Sequence, residues 1–206
     1  EYTVFRVYDF SNIWIFSMEQ ALEQQSSSCI KVVLFGPEST GKTTLSKDLA
    51  AYFGTYWVPE YAREHLQNKW DHEQKTCEAK DLMPIAVGQM RLENESAVKT
   101  DEILFCDTNL LETKVYSEVY YDGYCDPVID HYAKKHSYDL YFLCDIDVPW
   151  EADDLRDKPN DRKKMFSAFE STLQALELPY VILSGSKTER LNNAVNYINQ
   201  LLIPQI

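Results

Sequence analysis

No two cysteines stand in CxxC spacing, and the five present (Cys29, Cys77, Cys106, Cys125 and Cys144) are odd in number. That argues against a zinc site or a disulfide framework and for a reducing, cytosolic compartment. Cys106 and Cys144 lie inside apolar runs, where a thiol behaves as a small core residue. Positive charge is also scarce: 20 Lys and Arg face 33 Asp and Glu, for a formal net charge of -13. Such a surface repels phosphate backbones, so the expected partner is a small molecule rather than nucleic acid. The first residues do not read as a signal peptide or a membrane span either. The stretch EYTVFRVYDFSNIWIF at residues 1–16 is too short and too polar to cross a bilayer, and it has no basic n-region or cleavage site. There is no internal repeat and no low-complexity tract.

Five short apolar runs are present instead: Lys31–Phe35, Thr55–Val58, Ile103–Cys106, Leu140–Cys144 and Tyr180–Leu183. Runs of this length without polar alternation suit a parallel sheet covered on both faces. Helical patterns fall between them, near 42–53, 60–68, 83–99, 110–121, 126–136, 160–176 and 188–202. The alternation predicts one α/β domain, a doubly wound, five-stranded parallel sheet with helices on both faces, over residues 30–206. Residues 1–29 read as an appendage (1–17) followed by a short helix and a polar linker.

Gly36-Pro-Glu-Ser-Thr-Gly41-Lys42-Thr43 matches GxxxxGK[ST] between a predicted strand and a predicted helix, the context the motif requires. Backbone N–H groups of such a loop point at a polyphosphate, and the helix dipole adds positive potential. Gly36, Glu38, Ser39, Thr40, Gly41, Lys42, Thr43 and Thr44 would surround ATP, with Lys42 on the β- and γ-phosphates and the Thr43 hydroxyl on Mg²⁺. This is the fold class of P-loop nucleotide-binding proteins.

Asp107 closes the run ILFCD, the place where a strand-end carboxylate holds Mg²⁺; a turn-starting Asp is the plainer alternative. Thr108 follows it where motor ATPases carry a Glu that activates water, which argues for transfer to a bound acceptor. Asn68-Lys69-Trp70-Asp71 spells NKxD, but it ends a helical stretch and no DxxG follows Asp107, so it reads as a solvated helix end rather than a guanine reader.

Ligands of α/β sheets bind at the carboxyl ends of strands. Glu60, just after the second strand, would therefore share a crevice with Asp107 and the P-loop. It could accept a proton from an attacking hydroxyl or hold a ribose diol. Arg63, one helical turn on, could position phosphate, orient Glu60, or merely form a surface pair. After the fourth strand, Pro149–Arg162 is charged and carries Arg156 and Arg162, which suits a lid whose arginines neutralise the transferred phosphoryl group; a solvated loop is the alternative. Trp150 reads equally as a stacking surface for a flat ring and as a core anchor. His65, His72, His131 and His136 lack metal-ligand spacing and read as surface residues. Tyr116, Tyr120, Tyr121 and Tyr124 read as packing.

Four strings taken in order, GPESTGKTTL, WVPEYARE, CDTNLLETKVYS and DIDVPWEADDLRD, resemble the ribosylnicotinamide kinase domain of the NadR-like family, over about residues 30–202. The resemblance implies a P-loop kinase moving the ATP γ-phosphoryl group to the 5′-hydroxyl of nicotinamide riboside, and the cysteine usage makes the expected place cytoplasmic. It puts Lys42 and Thr43 on nucleotide and metal, Glu60, Tyr61 and Asp107 near the riboside, and Arg156 and Arg162 in the lid. The cationic nicotinamide ring would suit an acidic, aromatic-lined pocket. The chain departs from the family at Asp154, where members often carry Gly, at Asn109 in place of Asp, and at Pro59 in place of an aromatic residue. No HxGH-type motif and no helix-turn-helix segment accompany the kinase strings, so the expectation is a stand-alone kinase. Kinases of other nucleosides or small metabolites, and an ATP-sensing regulatory module, are the rival readings.

Overall fold

The computed structural model describes residues 19–156 and 160–203. Five strands form one sheet: β1 (Ile30–Phe35), β2 (Tyr56–Val58), β3 (Ile103–Asp107), β4 (Leu140–Cys144) and β5 (Tyr180–Leu183). Their spatial order is β2-β3-β1-β4-β5, and every pairing is parallel. Seven helices connect and flank them: α1 (Lys42–Phe53), α2 (Tyr61–Glu73), α3 (Leu82–Ala97), α4 (Leu110–Tyr120), α5 (Pro127–Lys135), α6 (Arg162–Ala175) and α7 (Lys187–Leu201).

Side chains alternate across a strand, so each central strand feeds two cores. Val33 and Phe35 of β1, Leu104 and Cys106 of β3, and Tyr141 and Leu143 of β4 join one cluster with Met90, Leu111, Ile129 and Phe169. Val32 and Leu34, Ile103 and Phe105, and Phe142 and Cys144 join the other with Leu45, Leu49, Val195 and Ile198. This is why these runs are apolar without interruption, as a sheet covered on both faces demands. β1 is central, so the loop leaving it opens mid-sheet, at the switch point where α/β proteins place their ligands.

Several expectations need correction. Residues 19–22 form a helical turn, and the segment after it is stitched to the domain rather than spanning a gap. Leu22 is wholly buried and its carbonyl accepts from His136 Nε2 at 2.8 Å. Gln24 donates to Glu93 Oε1 at 2.8 Å and accepts from the Ser137 N–H at 2.9 Å, and the Gln25 N–H reaches Asn94 at 2.9 Å. His136 is accordingly buried, not a surface residue. The appendage expected at 1–17 lies outside the described residues. α2 runs five residues past its expected end, through NKWD, and Lys69 there is buried. Its ammonium meets Asp81 at 2.5 Å and Glu78 at 2.7 Å, carboxylates beyond the helix that no local pattern could announce.

Gly88, in the middle of α3, lets a ring approach closely. A Cβ there would sit 2.1 Å from the nearest Tyr61 ring carbon. Gly88→Ala is therefore expected to destabilise the protein by about 1–2 kcal/mol, because overpacking outweighs the better helix propensity of Ala. In a Tyr61→Ala background the same change should stabilise, by up to ~1 kcal/mol. Denaturant melts of the four-member cycle check the reversal of sign; a Gly88→Ala penalty that survives in Tyr61→Ala would show that the ring is not the obstacle.

Candidate active site

The loop after β1 turns through Gly41 at φ +81°, a left-handed conformation that a side chain would strain. Gly41 occupies the N-cap of α1 and supplies no side-chain cap, so the first N–H groups of the helix remain available to an anion. Three contacts hold the loop in shape. Arg190, buried on α7, donates to Thr40 O at 2.8 Å, Gly185 O at 3.0 Å and Asp145 O at 3.1 Å, and pairs with Asp147. Arg162, opening α6, donates to Ser39 O at 3.1 Å and Val148 O at 2.8 Å. The Ser39 hydroxyl accepts from the Glu151 N–H at 2.8 Å.

The loop forms one end of a cavity of about 660 Å³. Glu38, Ser39, Thr40, Gly41, Lys42, Thr43 and Thr44 line that end, and Glu60, Arg63, Gln89, Thr108 and Glu112 border its middle. Tyr116, Tyr120 and Tyr121 with Leu66, Leu82 and Ile85 supply its aromatic and apolar lining. Tyr116 has both a packing and a lining role, since it also packs edge-on against Phe169 at 5.5 Å. Tyr124 is exposed.

Asp107 ends β3 beneath this floor, wholly buried. Burial, then the charge of Glu60, pushes its carboxyl up to about 7, while Lys42, the Thr43 hydroxyl and Lys47 pull the other way. Neither carboxylate oxygen accepts a hydrogen bond of ordinary geometry. The next residue, Thr108, adopts φ +71°, costly for a β-branched side chain and typical of strain stored at a functional site. Asn109 turns away to cap α4 and to donate to Tyr141 at 3.0 Å. Lys42 is buried and donates to Gly36 O at 2.6 Å and Pro37 O at 3.0 Å, with Glu112 Oε1 at 3.2 Å. Burial opposes its charge, but Glu112, Glu60 and Asp107 together hold its ammonium above the usual range. The N-cap of α2 is Glu60, whose side chain makes no cap bond; Gln89 takes the Tyr61 N–H instead, at 2.8 Å. The Glu60 carboxylate is thus left facing the cavity.

Not every candidate comes to this chamber. The Tyr61 ring packs on Gly88 of α3 and is absent from the lining. Trp150 is half-buried with the Arg162 guanidinium 5.8 Å from its ring centroid, also outside the lining. Arg63 pairs with Asp153 of the 149–162 segment at 2.6 Å, and Asp153 also meets Arg156 at 3.2 Å. Residues 149–156 are thus tied to α2 through Asp153, with Arg156 on the lining, while Arg162 serves the loop backbone. Three contributors were not anticipated. Glu112, Gln89 and Arg190 fall inside expected helices with no motif to single them out; only their burial marks them.

Residues 31–190 match the family described as AAA domain. Among curated proteins, the trifunctional NAD biosynthesis/regulator protein NadR of Salmonella typhimurium is 28% identical over 125 residues, 61% of this chain and 30% of that protein. The chain therefore spans about a third of that relative's length. Among solved structures, NadR protein in complex with NR superposes with a TM-score of 0.70 at 20% identity, over 86% of this chain and 52% of the other. Deoxyadenosine kinase from M. mycoides, in a structure with products dcmp and dcdp, gives 0.63 at 16% identity, over 83% and 100%. These likenesses agree with the parallel five-stranded sheet and its P-loop, and with a match covering most of its length the chain belongs to the AAA domain family.

Proposed function

We propose that this domain is an ATP-dependent kinase whose acceptor is the 5′-hydroxyl of a riboside, nicotinamide riboside before others. One observation carries the reading: a shaped P-loop and aromatic side chains line a single cavity, with Glu60 on its wall and Asp107 buried behind it. An ATPase that activates water has no need of such a chamber, and no Glu follows Asp107. The curated relative's part in NAD biosynthesis and the NR bound in its solved counterpart point to the same acceptor.

In the reaction, the acceptor oxygen forms a bond to the γ-phosphorus as the bond to the β,γ-bridging oxygen breaks, and ADP leaves. The hydroxyl proton passes to a carboxylate, Glu60 or Asp107. The α1 N-terminus and Lys42 bear the phosphate charge, and Arg156 stands at the mouth where charge spreads over the transferred group. The hard oxygen donors Thr43 and Asp107, the latter buried without ordinary hydrogen bonds, fit Mg²⁺. Bound there, the ion would neutralise phosphate charge. Tyr116, Tyr120 and Tyr121 would enclose the base and exclude water.

A panel of ribosides incubated with Mg·ATP, with product mass measured, tests the proposal. Phosphorylated nicotinamide riboside is the expected product; ATP turnover indifferent to every acceptor would make the domain a regulatory ATPase. Within this scheme, Glu60→Gln is expected to lower kcat/KM for the riboside by about 100-fold while nucleotide affinity stays within about 2-fold. Coupled kinetics and calorimetry measure the two; a collapse of nucleotide affinity with intact riboside kinetics would move Glu60 to the metal side.

A further inference from the structure

Glu112 has no role in the steps above, yet it is more than nine-tenths buried and lines the cavity beside Lys42. Neither of its oxygens accepts a hydrogen bond of ordinary geometry, and its one close partner is the Lys42 ammonium at 3.2 Å. An ammonium has three N–H donors. Two of them go to Gly36 O and Pro37 O, and Glu112 stands at ion-pair distance from the same ammonium, so Lys42 is folded back on its own loop. A polyphosphate can be gripped only if Lys42 leaves that position.

We propose that Glu112 is a counter-ion exchanged between Lys42 and the acceptor, which makes nucleotide and acceptor bind cooperatively. The proposal rests on the kinase reading given above and deepens it. When Lys42 turns to the phosphates, Glu112 is left buried, unpaired and facing a second anion, an arrangement that costs heavily in a low-dielectric site. It must then take up a proton, or meet a ligand in the same chamber that brings hydroxyl donors or positive charge. Thr113 and Tyr116, on the same helix turn, line that part of the wall. Neither of the two carboxylates placed in the chemistry can substitute. Asp107 lies outside the lining next to Thr43, and Glu60 is only half-buried. Nucleotide alone therefore binds at the cost of leaving this buried carboxylate unpaired or of protonating it, whereas nucleotide with acceptor does not. Coupling of this kind is reciprocal between the two ligands.

Calorimetric titration of the whole chain with Mg·AMP-PNP, with and without saturating nicotinamide riboside, tests this in wild type, Glu112→Gln and Glu112→Asp. Wild type is expected to bind the nucleotide at least ~5-fold more tightly when the riboside is present. Glu112→Gln, which keeps the shape without the charge, should bind nucleotide alone about 5-fold more tightly than wild type and lose the coupling. Glu112→Asp retains the charge and should retain coupling of the same sign. Equal or weaker binding of nucleotide alone by a folded Glu112→Gln overturns the proposal, as does its retention of full coupling. The arm without riboside does not depend on which acceptor is correct. If nicotinamide riboside fails to bind, the kinase assignment suffers, while the nucleotide-alone comparison still decides the role of Glu112. Should Glu112→Gln not fold, Glu112→Asp decides: loss of riboside coupling in that variant, with the riboside still binding, overturns the exchange.

Discussion

Lys42→Ala is expected to lower kcat by more than ~100-fold, because the contact it removes strengthens as charge spreads over the transferred phosphoryl group. No neighbour can take over. Arg156 is held by Glu151 O at 2.5 Å and by Asp153, and Arg190 is fully committed to the loop carbonyls and Asp147. The variant should fold, but its stability should become more sensitive to pH. Asp107 already holds its proton up to about 7, and burial keeps the Glu112 carboxyl well above the usual range. Without Lys42 both rise further. A folded acid with a raised pKa binds its proton more tightly than the unfolded chain does, so stability falls as pH climbs from the unfolded value to the folded one. The deficit of Lys42→Ala relative to wild type should therefore be larger at pH 8 than at pH 6, as thermal melts at the two values would show. A near-normal kcat in the folded variant, or a deficit that shrinks with rising pH, contradicts this account.

Arg190→Ala is expected to cost on the order of 3 kcal/mol of stability, since it strands three carbonyls and Asp147 around a buried site. The loss should reach function, because Thr40 O, one of those carbonyls, belongs to the P-loop. Nucleotide affinity should fall by ~10-fold or more, as a loop freed to move must be reordered on binding. Arg190→Lys separates geometry from charge. An ammonium cannot span Gly185, Thr40 and Asp145 as the planar guanidinium does, so the lysine variant should lie close to alanine. Denaturant unfolding and nucleotide titration of both variants check this. A lysine variant at wild-type values would mean that only the charge opposite Asp147 matters.

The five apolar runs, the P-loop and the strand-end Asp107 could be read from the residues alone because each obeys a local rule. A strand buried on both faces must be apolar throughout, a phosphate loop needs glycine where φ is positive, and a carboxylate at a strand's end stands where α/β ligands bind. Those rules set the fold class and the nucleotide end of the cavity. They say nothing of partners distant in sequence. α2 runs on to Glu73 because Lys69 finds Glu78 and Asp81 beyond the helix, and Leu22 is core because α3 and α5 cover it. The same limit governs the site. Gly88 draws the Tyr61 ring out of the chamber, Arg162 occupies the face of Trp150, and Arg190 crosses 150 residues to hold Thr40 O. Local spacing places a side chain on one side of its own helix or strand. Whether that side faces a cavity, a glycine or an unpaired charge depends on what tertiary packing sets opposite it, and packing set Glu112, an unremarkable first-turn acid in the sequence, against Lys42.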